Sequence, residues 1–212
     1  RLSDNKIRSN VNGANIMVAF DAETMIRHGL SISKNGAIIY DSSIVNTSID
    51  EIPTIEADHR VRSDEFFKSK NMEPKVSSII ELAKESGVNV YPISFRDALS
   101  NIADELKRPE LSRMTRMFNV LGVSFSLGVL KAPIAPLLES IEEIFSTKPT
   151  IADLNKKAAN FAYNYASAKF SGFNVSLNET DKEPNIMLVQ GHQGSALGKM
   201  VCGCRFQSYY PI

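Results

Sequence analysis

Residues 191–198, Gly-His-Gln-Gly-Ser-Ala-Leu-Gly, place glycines at 191 and 194 and no long side chain at 195, where a helix reads as starting. Such a stretch lets a ligand or another backbone come close, and a helix N-terminus offers free N–H groups to an anion. As a phosphate cradle it is incomplete: it has no Gly-Lys-Ser/Thr, no full G-x-G-x-x-G, and it does not follow a first strand. A little further on, Cys202 and Cys204 are one residue apart, too close for a C-x-x-C redox or zinc motif. On a strand they would point the same way, and they read as small buried thiols in a reducing cytoplasm.

Other candidates are scattered. Asp21 and Asp41 each end an apolar run, the position where parallel α/β sheets bind ligands, although Asp21 reads equally well as a helix cap. Asn119 lies beside Phe118 and Leu121 in an apolar helical stretch, either as a satisfied core amide or as a group aimed at a cofactor. His28, His59 and His192 are far apart, and none has a Cys, Asp or Glu at metal-ligand spacing, which argues against a metal site. Neither a Gly-x-Ser-x-Gly elbow nor a Ser/His/Asp order stands out.

The elements that would position these residues follow from periodicity. Residues 14–21 and 36–41 are apolar runs that read as buried parallel strands. Residues 22–28 form a short helix that Asp21 would cap, with Glu23 in its first turn. Residues 42–73 are polar and irregular and read as a long excursion or flap. Residues 74–86 are an amphipathic helix with Val76, Ile79, Ile80 and Ala83 on one face and Gly87 as its stop. Residues 88–93 are a third strand, and Ser94 would cap a helix over 95–106. Helices over 112–130, 134–145 and 150–170 follow; Gly122 and Gly128 would let the first pack closely on a neighbour, and Thr150 would be the N-cap of the last. Residues 172–184 are polar without apolar periodicity, the best linker in the chain. A short aromatic strand is expected after Cys202. The order of elements predicts a three-layer α/β domain with a mostly parallel sheet, and a second unit after residue 186.

Composition narrows the classes of function. The 212 residues are 43% hydrophobic and 23% charged, which fits a packed globular core. The 24 basic and 24 acidic side chains cancel, so no basic surplus points to nucleic acid or an anionic membrane. No apolar run reaches the roughly 18 residues of a membrane span, and no signal peptide is visible. Arg1-Leu2-Ser3-Asp4 opens without an element of its own and Tyr210-Pro211-Ile212 closes without a cap, so both ends read as those of a piece of a longer chain.

With those residues in view, LVQGHQGSALGKMVCGCRFQSYYPI resembles the start of the pyrimidine-binding domain of 2-oxoacid:ferredoxin oxidoreductase α subunits. There a Gly-Asn-Glu-Ala-x-Ala-Leu-Gly helix leads to Gly-Cys-Arg-Phe and then to Tyr-Pro-Ile-Thr-Pro. Upstream, RLSDNKIRS, ANIMVAFDAETMIRHG, GAIIYDSS, VNVYPISF and MFNVLG resemble the γ domain of the same family. The resemblance implies a γ-type α/β domain over 1–172, a linker over 173–184 and the truncated start of a thiamine-diphosphate pyrimidine-binding α/β domain over 185–212, the fused γ–α arrangement of two-subunit archaeal-type enzymes.

It also implies a reaction. A 2-oxoacid such as pyruvate or 2-oxoglutarate is oxidatively decarboxylated to acyl-coenzyme A with thiamine diphosphate and Mg2+, and electrons pass through a 4Fe-4S cluster in a partner β subunit to ferredoxin. Tyr210, Pro211 and Ile212 would lie beside the thiazolium and substrate, and Gly191, Gln193 and Asn119 are the further candidates for cofactor contact. The Thr expected after Ile212, the glutamate that activates the pyrimidine ring and the Gly-Gly-Gln-Gly-type loop for coenzyme A phosphates all fall outside these 212 residues. The resemblance therefore places no catalytic residue among them. His192, Gln193 and Gly194 depart from the family's Asn, Glu and Ala. An indolepyruvate-type oxidoreductase subunit and a non-catalytic α/β binding or assembly module are the alternatives.

Overall fold

The computed structural model describes residues 13–105, 107–109, 114–175, 177 and 189–208. The chain divides into two compact units between residues 178 and 179.

Three parallel strands form the centre of the first unit: β1 (Ala14–Ala19), β2 (Ile32–Asp41) and β3 (Asn89–Ile93), in the order β1-β2-β3. Ile16 pairs with Ala37, Val18 with Ile39 and Ala19 with Tyr40; on the other side Ile39 pairs with Tyr91 and Asp41 with Ile93. Successive side chains of β2 leave opposite faces of the sheet. Ala37 and Ile39 join one buried cluster and Ile38 and Tyr40 the other, so the middle strand is apolar without alternation because both of its faces are covered. The strand begins earlier than the apolar run, since Asn35 at φ 63° and Gly36 make an irregularity that carries the pairing back to Ile32.

Helices cover both faces. One layer holds α1 (Ala22–His28), α2 (Ala57–Ser69) and α3 (Val76–Glu85), with Met25, Ile26, Phe67, Val76, Ile79 and Ile80 in its core. The other holds α4 (Phe95–Glu105), α5 (Phe118–Leu130) and α7 (Pro149–Lys169), with α6 (Ala135–Ile144) packed on α7. Its core gathers Phe95, Leu99, Leu121, Phe125, Ala158, Ala162 and Ala166. This is the expected three-layer α/β arrangement, and every strand pair described is parallel.

Small residues set the closeness of α5 to its neighbours. A Cβ on Gly128 would stand 2.5 Å from the Tyr163 carbonyl oxygen and 2.8 Å from the Ala166 Cβ, so α5 meets α7 backbone to backbone. A Cβ on Gly122 would meet the Phe20 ring tip at 2.6 Å and Val18 at 3.2 Å. At the end of α3, the Gly87 N–H bonds to the Lys84 carbonyl and the Val88 N–H to the Ala83 carbonyl, with Gly87 at φ 82°. That is the Schellman stop its position in the sequence suggests.

Several expectations need correction. The polar excursion over 42–73 contains α2; with Phe67 its one buried residue, the helix lacks an apolar stripe that periodicity could register. It is held instead by Arg60, whose guanidinium donates to the Ile49 carbonyl at 2.7 Å and to that of Ile52, and by Arg27 of α1, which pairs with Glu56. The helix expected from residue 112 begins at Phe118 after a 3-10 turn over Thr115–Met117, and residues 112 and 113 lie outside the described residues. Thr150 is not an N-cap: α7 starts one residue earlier, with Pro149 at its first position, where a missing N–H costs nothing. Asp153 pairs with Lys157 at 2.8 Å, one turn on.

The second unit, as described, is one helix, α8 (Gly191–Val201), with a turn at its end. Residues 204–208 adopt no regular structure, so no part of the expected aromatic strand is present among the described residues. A strand draws its stability from a hydrogen-bonded neighbour, which alternating side chains alone do not supply.

Candidate functional site

The carboxyl edge of the sheet is where α/β proteins place chemistry. Here Asp21, Asp41 and Ser94 on that edge each accept a nearby backbone N–H. Asp21, exposed, accepts the Thr24 N–H at 2.7 Å and caps α1. Asp41, buried, accepts the Ser43 N–H at 2.9 Å. Ser94 accepts the Asp97 N–H at 3.2 Å at the start of α4. Capping is therefore the role the structure gives Asp21, as the sequence allowed. Two carboxylates on this edge also disfavour an anion there.

Asn119 is exposed, on the first turn of α5, and is not a core amide. Apolar neighbours in the sequence misplace it because α5 is apolar nearly all round and its direction cannot be read from composition. The three histidines are not brought together with other ligands: among the described residues no group of three His, Cys, Asp or Glu side chains could hold a metal ion. The His59 ring faces the Ser63 hydroxyl at 3.2 Å, one turn along α2.

Next to the sheet edge, α4 and α7 enclose two adjoining hollows that share Phe161 and Tyr165. The smaller, about 140 Å³, opens beside Ser94, Asp97 and Asn101. The larger, about 490 Å³, is lined by Glu105, Lys157, Asn160 and Asn164 over an apolar floor of Ile102. Stacked rings make the wall, with Phe161 and Tyr165 centroids 6.4 Å apart and Tyr165 edge-on to Phe125 at 6.0 Å. The chemistry on offer is amide and carboxylate hydrogen bonding over aromatic surface, suited to holding a polar group. The sequence signal was the i, i+4 spacing of Lys157, Phe161 and Tyr165, and of Asn101 and Glu105, which put polar and aromatic residues on facing sides of two helices.

In the second unit the expected helix start is present. The Gln193 side-chain oxygen accepts the Gln190 N–H at 2.8 Å, closing the reciprocal arm of a capping box. Gln193 thus has a structural role in addition to the cofactor contact proposed for it. A Cβ at Gly191 would meet nothing within 4 Å and one at Gly194 only Val189 at 3.7 Å, so packing inside this unit requires neither glycine. Tyr210, Pro211 and Ile212 lie outside the described residues, as does most of the linker.

The cysteines depart from expectation. They are exposed, and the backbone that carries them is a helix end, not a strand. Cys202 is the C-cap of α8, Gly203 follows at φ 81°, and the Cys204 thiol donates to the Phe206 carbonyl at 3.2 Å. No helix among the described residues is long and apolar enough to cross a membrane.

Comparison with known proteins bears on the whole chain. Residues 1–165 match the sequence model of the family described as pyruvate ferredoxin/flavodoxin oxidoreductase. Subunit alpha of 2-oxoacid:ferredoxin oxidoreductase 1 from Sulfurisphaera tokodaii is 29% identical over 211 residues, covering 100% of this chain and 32% of that protein. Subunit alpha of the 2-oxoacid:ferredoxin oxidoreductase from Saccharolobus solfataricus is 30% identical over 212 residues, with 100% and 32% covered. Subunit alpha of 2-oxoacid:ferredoxin oxidoreductase 2 from Aeropyrum pernix is 27% identical over 197 residues, with 92% and 30% covered. The chain spans about a third of the length of these relatives.

Proposed function

The chain belongs to the pyruvate ferredoxin/flavodoxin oxidoreductase family, and from that membership we propose that it is the γ-type domain, with the start of the pyrimidine-binding domain, of a 2-oxoacid:ferredoxin oxidoreductase α subunit. In this reading the complete enzyme oxidatively decarboxylates a 2-oxoacid such as pyruvate or 2-oxoglutarate to acyl-coenzyme A and passes electrons to ferredoxin. A β subunit carrying a 4Fe-4S cluster completes it. The single observation that supports the reading most is the agreement of relatives that bear the name 2-oxoacid:ferredoxin oxidoreductase subunit alpha and align along the whole chain, across both units.

Thiamine diphosphate with Mg2+, when bound, supplies the carbanion chemistry of decarboxylation. The described residues of the second unit, 189–208, include no Asp or Glu, so neither the metal nor the activating acid is assigned to them. What this chain contributes is position. The three-layer unit is packed on both faces of its sheet, and the Gln190–Gln193 cap orders the start of α8, which precedes Tyr210, Pro211 and Ile212 in the sequence. Those three residues are proposed to lie beside the thiazolium and the substrate. Coenzyme A phosphates would bind outside this chain.

The test is composition of the native complex. The polypeptide that carries this sequence, purified without oxygen, is expected to bring with it a second chain, iron, sulfide and thiamine diphosphate. A preparation of a lone chain with none of these would reject the reading and favour a binding or assembly module. In a positive preparation, a preference for aryl-substituted 2-oxoacids over pyruvate and 2-oxoglutarate would identify the indolepyruvate type.

A further inference from the structure

The chain does not leave the first unit where α7 ends. Phe170 closes the helix in extended conformation, with its N–H on the Ala166 carbonyl at 2.9 Å. Its ring stacks on Tyr91 of β3, with centroids 4.5 Å apart, and meets Tyr165 of α7 edge-on at 5.8 Å. Phe173 is buried in the same core, and Leu177 packs against it. The first residues of the segment expected as a linker thus belong to the first unit.

The Tyr91 hydroxyl holds this stretch from the sheet. It donates to the Ser171 carbonyl at 2.6 Å, across 80 residues of sequence, and the Phe173 backbone N–H bonds to the same oxygen. One buried side chain therefore satisfies both a backbone acceptor and a backbone donor of an irregular segment.

Gly172 lies between those two partners at φ 90°, a conformation that glycine takes readily and other residues do not. A Cβ there would stand 2.7 Å from the Asn89 side-chain oxygen. Asn89 is fixed in turn, its amide donating to the Gly36 carbonyl at 3.1 Å. Asn89 and Tyr91 are two residues apart on β3 and leave the same face of the sheet. The turn at Gly172 is shaped to fit against both.

We propose that the Tyr91 hydroxyl is the latch of a strap formed by residues 170–173. Latched, the strap extends the first unit past α7; released, it leaves loose chain after Lys169. Burial of Phe173 gives the strap affinity for the core without direction, and the pair of hydrogen bonds sets its register. The proposal does not depend on the oxidoreductase reading. Under that reading, the latch sets the point at which the chain departs from the γ-type domain.

The experiment is limited chymotrypsin digestion of the polypeptide that carries this sequence, with the rate of each cut followed by mass spectrometry. Cleavage of a segment that opens and recloses quickly tracks the population of its open form. In the native chain the cut after Phe173 is expected to be far slower than in a synthetic peptide of residues 168–180. Tyr91→Phe keeps the ring and its stacking; it should speed that cut about tenfold, the effect of losing two ordinary hydrogen bonds, and leave cuts after Phe161 and Tyr165 of α7 unchanged. Gly172→Ala should speed the same cut by straining the turn. Three results would each overturn the proposal. One is an equal rate after Phe173 in the native and Tyr91→Phe chains. Another is a native rate as fast as that of the free peptide. The third is an equal acceleration of the α7 cuts in Tyr91→Phe, which would make the hydroxyl a general core contact and not a latch.

Discussion

The side-chain oxygen of Gln193 accepts the backbone N–H of Gln190 at 2.8 Å, so this residue at the head of α8 serves the helix itself. Gln193→Ala removes this acceptor. The expected result is fraying of the first turn by about 0.5–1 kcal/mol, seen as faster amide exchange at residues 190–194 with the later turns unchanged. Gln193→Glu keeps the acceptor and adds a charge that the helix N-terminus favours, so the same amides should exchange more slowly. Equal exchange in all three chains would show that the cap contributes nothing.

Packing of α5 separates two glycines that look alike in the sequence. At Gly128 a methyl group meets the fixed Tyr163 carbonyl at 2.5 Å, whereas at Gly122 it meets the movable end of the Phe20 ring. Gly128→Ala should cost about 1–3 kcal/mol by overpacking, and Gly122→Ala distinctly less. Urea unfolding midpoints of the two variants decide this; a reversed order would mean that α5 rests on β1 more tightly than on α7.

Lys131 ends α5 in the left-handed conformation, at φ 52°, with its N–H on the Gly128 carbonyl at 3.2 Å. A lysine pays for that conformation and a glycine does not. Lys131→Gly should therefore stabilise the first unit by about 0.5–1 kcal/mol, read as a higher urea midpoint with an unchanged slope.

Arg27 joins Glu23 of its own helix, at 2.7 Å, to Glu56 at the head of α2. The Thr54 hydroxyl and then Arg27 hold the Glu23 carboxyl below its ordinary value, and Arg27 does the same for Glu56. A folded-state value below the unfolded one gives stability that is complete above the ordinary carboxylate value of about 4.3 and is lost as pH falls through the depressed one. The native chain should lose urea resistance steeply below about pH 4, and Arg27→Ala should lose less over the same interval. Parallel acid limbs for the two proteins would remove this network from the account.

The layered fold was legible because its signals are strong where burial is complete. The Ile38-Ile39-Tyr40 run, the 3.6-residue stripe of α3 and the Gly87 stop each have one physical reading. Legibility failed where tertiary contacts replace local pattern. Helix α2 is anchored by Phe67 and by Arg60 reaching two carbonyls, neither of which makes a stripe. Asn119 could not be oriented on a helix that is apolar on most sides. The cysteines were placed on a strand because the aromatic residues after them favour one, although a Schellman turn at Gly203, between the two, ends the helix there. The hollow between α4 and α7 depends on two helices meeting, and a single sequence does not reveal that juxtaposition.

The central claim is the enzyme class, and ferredoxin reduction tests it most directly. The complex that contains this chain, purified and assayed without oxygen, is expected to reduce ferredoxin only when a 2-oxoacid and coenzyme A are both present, releasing carbon dioxide and forming the acyl thioester in equal amounts. A complex that holds thiamine diphosphate and an iron–sulfur cluster yet reduces ferredoxin with no 2-oxoacid, or does so without coenzyme A and forms no thioester, would contradict it.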